Sequence, residues 1–290
     1  MRNLFLFFLL CCSVAGYGQK VKAYSSGPRV LTFAEQEYSR MQIKVKGGSF
    51  TLTAYTPDST FIMEYGEDDV HPLYTFRGDL RLNRAGCDSI IFSTSDTIEM
   101  RVLRKKNWTA TRPYLGMVTI RPNLIYLEAI VQVPVKEYIA GVVEAEGGMS
   151  SEPEYHKAQA VLARTWLITN MAKHKQDGYH IKDDQSSQAF KGVPHGNHAA
   201  IIMEAVTQTK DTLATYNGKP IIGFYHSNSG GQTVLPHEVW SQELPYCRAV
   251  IDPFSKKESK YQWTKDIPVS DWNAYFFKNG MTKDWALYFA

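Results

Sequence analysis

The chain has 290 residues, 44% of them hydrophobic and 21% charged, with a formal net charge of +3. That length and composition allow a sizeable core and exclude whole-chain disorder. A charge this small, with no Lys/Arg stripe, argues against nucleic acid as a partner, and the short RKK run at 104–106 reads as a solvated turn.

The opening stretch, MRNLFLFFLLCCSVAGYGQK, sets a basic residue before an apolar run and then small residues. This is the pattern of an export signal over 1–18, and the run is shorter than the roughly 20 apolar residues of a membrane span. Gly16 and Gly18 suit a cut before Gln19. Cys11 and Cys12 open a lipoprotein alternative, against which Leu10 is a large residue for that cleavage. The expected location is the periplasm or cell envelope, with no transmembrane segment in the mature chain. Cys87 and Cys247 are the cysteines left after such a cut; they could pair or remain as two buried thiols. No Cys/His cluster has zinc spacing, so neither metal nor cofactor is expected.

From about 28 to 130 the pattern is β-rich. Met41, Ile43 and Val45 alternate with polar residues, as do Ile98, Met100 and Val102. KGG at 46–48 and NRAGCD at 83–88 read as turns. Asn107-Trp108-Thr109 is a glycosylation sequon, meaningful only in a host that uses it.

The texture changes at Pro134. Val135, Tyr138, Ile139, Val142 and Val143 have helical spacing, and Gly147-Gly148 is suited to a left-handed stop. A second helix follows, with Ser151 and Glu154 as a capping box and Pro153 in its first turn, running to about 174. IKDDQSSQAFKG is a loop, 197–208 a shorter helix, and TLATYNGKPIIGFYHSNSGG a hairpin turning at Asn217-Gly218.

Two glutamates close the first helix. Glu146 continues the apolar face of Ile139, Val142 and Val143, whereas Glu144 falls with Glu137 and Ala140 on another and reads as surface charge. The negative end of the helix and partial burial both disfavour the charged form of Glu146, as a general acid requires; the alternative is a structural carboxylate that caps a neighbouring backbone or pairs with Arg164. Lys157 and Arg164 lie one heptad apart and could line a cleft wall or merely snorkel. The SSQ loop at 186–188 suits hydrogen bonding to a polar ligand. FYHSNSGGQT is not a nucleophile elbow, since neither Ser227 nor Ser229 has the flanking glycines; with His226, Gly230 and Gly231 it reads as a ligand-binding loop at a strand end.

VPVKEYIAGVVEAE, KAQAVLARTW, SSQAFKG, NGKPIIGFYHSNSGGQT, EVW and LPYCRAVIDPFS occur in that order over roughly 113–255. Together they resemble the SpoIID/LytB family of sporulation stage II and amidase-enhancer domains. The resemblance implies export and action on peptidoglycan, with sporulation members acting as lytic transglycosylases on glycan strands stripped of stem peptides. It implies Glu146 as the catalytic acid/base, and Lys157, Gln159, Arg164 and Gln188 as motif residues of the site. Ser187 and the polar groups of His226, Ser227, Ser229, Gly230 and Gly231 would then contact glycan. The chain departs from the family pattern at Gly147-Gly148, where Met-Pro is usual, at Phe190, where tyrosine is usual, and at Cys247, where an aliphatic residue is common.

The expected architecture is α+β, with a β-rich part over 28–130, a SpoIID/LytB-like region with a central cleft over 131–255, and a C-terminal extension over 256–290. The leading expectation is an exported lytic transglycosylase. The alternative is a non-catalytic glycan binder that enhances or recruits a cell-wall amidase.

Overall fold

The computed structural model describes residues 27–66, 69–82, 84–147, 152–240, 242–258 and 261–279. The export signal, Gly148 and the capping residue Ser151 lie outside them. Contacts divide the chain into two units, to Phe224 and from Tyr225 onward.

The first unit is α+β. Its strands are β1 (Arg29–Thr32), β2 (Arg40–Lys46), β3 (Phe50–Tyr55), β4 (Thr60–Tyr65), β5 (Val70–Phe76), β6 (Asp79–Leu82), β7 (Ala85–Cys87) and β8 (Ser89–Ser93). They continue with β9 (Thr97–Arg104), β10 (Asn107–Trp108), β11 (Arg112–Tyr114), β12 (Met117–Asn123) and β13 (Tyr126–Gln132). The helices are α1 (Val135–Gly147), α2 (Pro153–Asn170) and, after β14 (Ile181–Lys182), α3 (Ala199–Gln208). A hairpin of β15 (Thr215–Tyr216) and β16 (Lys219–Pro220) follows.

One sheet runs β14-β1-β13-β12-β8-β3-β4; the other runs β10-β9-β2-β5-β6-β7, with β11 also pairing β9. The alternating residues predicted from sequence are direct cross-strand partners: Met41 faces Val102, Ile43 faces Met100 and Val45 faces Ile98, all fully buried. Period-2 alternation thus sends both triplets to one face. The two sheets meet through Phe50 and Phe92 of the first and His71 of the second, with edge-on ring contact between Phe50 and His71. β14 joins β1 in parallel, so a strand from beyond α1 and α2 completes the first sheet. One hydrophobic cluster includes Val30, Met41, Phe92, Tyr138, Ala163 and Val206, and therefore spans both sheets and all three helices.

The KGG turn holds, with Gly47 and Gly48 at φ +80° and +78°. NRAGCD is mostly not a turn: Ala85–Cys87 pairs with β6, because Cys87 and Leu80 belong to the buried face. Cys87 is buried, Cys247 half-buried, and neither is in a disulfide. Asn107 and Trp108 form a short exposed strand.

Pro134 accepts the first bond of α1 from the Tyr138 N–H at 2.9 Å. Residues 138–143 are buried without interruption, so the helix is enclosed along its middle rather than amphipathic. Gly147 is its last residue and is not at positive φ. Space explains the glycine instead: a Cβ there would lie 2.5 Å from the Tyr155 ring. α2 ends at Asn170, short of the expected 174. The hairpin turn is Asn217-Gly218, both at positive φ, but the strands are two residues each and 221–226 forms no strand.

The second unit contains α4 (Pro236–Trp240) and α5 (Val269–Lys278). Asp252 organises its middle: one carboxylate oxygen accepts the Ser229 hydroxyl at 2.7 Å, the other the backbone N–H groups of Phe254 and Ser255. A bridge between Gln232 and Ile251 lies beside it. No helix among the described residues is long and apolar enough to cross a membrane.

Candidate functional site

The end of α1 and the loop from Asp183 to His195 form the most chemically loaded part of the first unit. Asp183 anchors the start of the loop. Its carboxylate accepts the N–H groups of Phe33 and Ala34 at 2.6 and 2.9 Å and pairs with Arg112 at 2.8 Å. Burial pushes this carboxyl up, while the Ala34 N–H, the Arg112 charge and the Phe33 N–H pull it down. Ser187 Oγ accepts the Lys182 N–H.

Gln188 is 2% exposed; its carbonyl accepts the Tyr138 hydroxyl at 3.2 Å and its amide donates to Ala163 O at 3.4 Å. Phe190 is fully buried, 5.0 Å from the Tyr138 ring centroid and 5.9 Å from that of Tyr114. Its ring has a core role, and an adjoining glycine makes room: a Cβ on Gly141 would lie 2.2 Å from Gly192 O and 2.5 Å from the Phe190 ring.

Between these two anchors, the Ala189 N–H donates to Glu146 Oε1 at 2.8 Å. Glu146 Oε2 accepts no hydrogen bond among the described residues. Glu144 is not the surface charge expected from its helical face. Its side chain is 14% exposed, and Oε1 accepts the His195 N–H at 3.4 Å. The helix is enclosed on all sides before it ends, so both carboxylates emerge against the same loop rather than onto a wet and a dry face.

Lys157 and Arg164 do not share an environment. Lys157 is half-buried and pairs with the exposed Glu154 at 2.7 Å; it also lines a depression of about 420 Å³ with Pro153, Ile201 and Glu204. Arg164 is 6% exposed and donates to Thr212 O at 3.1 Å and Val206 O at 3.3 Å, capping the end of α3. Burial lowers its affinity for a proton and the nearby Asp211 opposes that. Gln159 is 3% exposed, inside the helical packing. The structure therefore brings Gln188 to the loop beside Glu146 and commits Arg164 to helix capping.

His226 and Ser227 are exposed in the second unit. Ser229 bonds Asp252 and also accepts the Gly231 N–H at 3.3 Å; Gly230 and Gly231 have φ of +70° and +106°. The glycines thus fit the tight turn inferred from the sequence, although no strand leads into it.

Two residues escaped sequence reasoning. Asp183 was one acid among several in a polar loop. Tyr155 lies against Gly147, and its hydroxyl is pushed up first by burial and then by the charge of Glu146. The glycine at 147 was the available signal, because a side chain there would occupy the space of the ring.

A family model described as stage II sporulation protein, SpoIID, matches residues 126–216. That stretch covers α1, α2 and the whole Glu146 loop. Over that stretch the chain is similar to the SpoIID/LytB family. It is 31% identical over 157 residues to stage II sporulation protein D of Bacillus subtilis, covering 50% of this chain and 46% of that protein. It is 34% identical over 126 residues to the amidase enhancer of the same organism, covering 43% of this chain and 16% of that one. An uncharacterised protein of Brachyspira hyodysenteriae is 22% identical over 254 residues, 84% of this chain and 66% of that protein. The chain spans less than half the length of the sporulation protein it matches.

Proposed function

We propose that this protein is an exported lytic transglycosylase acting on peptidoglycan strands that have lost their stem peptides. The observation that carries the reading is the Ala189 N–H on Glu146 Oε1, which leaves Oε2 as the oxygen to hold a proton. A lytic transglycosylase needs one such group, whereas ordinary glycoside hydrolysis uses two carboxylates. Glu146 gives its proton to the glycosidic oxygen as the C1–O bond breaks. It then takes the proton of the muramic acid 6-hydroxyl, whose oxygen closes the 1,6-anhydro ring on C1. No water is consumed.

Around this centre, Gln188 and Phe190 act through the backbone by fixing Ala189. Lys157 is the cation available to the lactyl carboxylate, since its exposed pair with Glu154 is weak and easily exchanged.

Glycan binding without cleavage, in support of an amidase, is the second reading; the similarity to an amidase enhancer favours it. Mass spectrometry of products from amidase-treated peptidoglycan separates the two. Lytic cleavage gives ends lighter by one water than hydrolytic ends, and Glu146→Gln abolishes them while the protein stays folded. Retained glycan binding with no release by the unaltered protein establishes the binder instead, and hydrolytic ends reject the anhydro mechanism.

A further inference from the structure

Two hairpin ends lie side by side in the first unit. β5 turns into β6 through Arg77-Gly78, and β12 into β13 through Leu124-Ile125. The Thr75 hydroxyl donates to Ile125 O, and a Cβ on Gly78 would lie 3.6 Å from Leu124 O, so the tips form one surface. That surface is apolar: Leu124 is 81% exposed, Ile125 61% and Phe76 53%.

Leu124 is the telling residue. It occupies the first position of a two-residue hairpin loop at φ +57°, where Gly or Asn costs less. Neither packing nor backbone geometry calls for a leucine there. Arg77 also sits at positive φ, +54°, with its guanidinium 5.3 Å from the Phe76 ring centroid. It makes no ion pair among the described residues. Of the flanking carboxylates, Asp79 is taken up by Arg81 and Glu37 accepts the Tyr126 hydroxyl. Arg77 is thus an uncommitted cation at the rim of a convex apolar cap. Phosphate above hydrocarbon is the chemistry complementary to that arrangement, and a bilayer needs no matching pocket.

We propose that the paired tips enter the headgroup–acyl boundary of a phospholipid bilayer, with Leu124, Ile125 and Phe76 among the chains and Arg77 on a lipid phosphate. Attachment of this size is reversible. The inference is independent of the glycan chemistry.

The test is co-sedimentation of the full chain with vesicles of phosphatidylcholine alone and with added phosphatidylglycerol. Binding is expected to both, tighter with the anionic lipid. Leu124→Gly should weaken binding at least about fivefold, given the apolar surface it removes, while its melting temperature holds or rises because glycine suits the positive φ. Arg77→Asn, also compatible with that φ, should reduce the preference for phosphatidylglycerol. Ile125→Ser repeats the Leu124 test away from the strained position. Failure of the unaltered protein to sediment would overturn the proposal, as would equal binding by Leu124→Gly and Ile125→Ser. So would a concentration-dependent dimer that these changes abolish, which would make a second copy the occupant.

Discussion

Glu144 and Glu146 stand two residues apart, yet the loop gives one backbone N–H to each: Ala189 to Glu146 and His195 to Glu144. Glu144 therefore acts as a tether for the far arm of the loop. Glu144→Gln keeps a carbonyl acceptor and should retain most activity, whereas Glu144→Ala loses it and should lower kcat more than it raises KM. Equal kinetics for the two variants would show that the tether is dispensable. The two cations of α2 separate in the same manner. Arg164→Met strips charged donors from two carbonyls and should cost roughly 1–3 kcal/mol in urea unfolding. Lys157→Met should leave stability within about 0.5 kcal/mol, as exposed pairs do, and should weaken binding to denuded glycan. A large stability loss at Lys157, or none at Arg164, would reverse these assignments.

At the scale of elements, α1 and the loop fit through Gly141. Alanine would normally favour a helix interior by roughly 0.5–1 kcal/mol over glycine. Here its Cβ would lie 2.2 Å from Gly192 O, a backbone atom that cannot swing away. Overpacking of this kind costs about 1–3 kcal/mol, so Gly141→Ala should lower the melting temperature despite the gain in propensity. A higher melting temperature would show that the loop yields freely. This contact explains what could be read from the sequence. Alternation showed the strands because period 2 needs no partner to be visible, and the positions of Met41 and Val102 followed. The three helices of the first unit and their order were equally plain from spacing and breakers, whereas α4 and α5 were not anticipated. The environment of Glu144 was not, because it depends on a loop some fifty residues away in sequence, and helical periodicity describes a helix with one wet face. Arg164 misled for the same reason: its heptad relation to Lys157 was correct as geometry, but the end of α3 covers only one of the pair. Asp183 was illegible because its partners at the end of β1 are close only after folding, and Tyr155 left only the indirect signal of Gly147.

Across the first unit, Asp183 is where the sheets and the helical part are tied together. It bonds the residues that follow β1, pairs with Arg112 at the start of β11, and accepts the Phe190 N–H through its own carbonyl. Arg112 also lies over the Phe33 ring at 4.4 Å. Burial leaves the Asp183 carboxyl raised above its ordinary range, so the folded protein holds that proton more readily than the unfolded chain. Through this group alone, stability falls as pH rises from the unfolded carboxyl range through the folded value, and is level beyond it. Arg112→Met removes one of the influences holding the carboxyl down, so the folded value moves higher and the window widens upward. The variant should therefore lose more stability at pH 7 than at pH 4. The neutral-pH loss should fall below the roughly 3–5 kcal/mol of a fully buried pair, because the Arg112 side chain is 21% exposed. Toward acid pH the folded carboxyl holds its proton more readily, so the charge pairing contributes less there and what remains is the lost hydrogen bond and ring contact. Urea unfolding of both proteins at the two pH values measures this difference. An equal loss at pH 4 and pH 7 would show that Arg112 stabilises by packing on Phe33 rather than by holding the Asp183 charge.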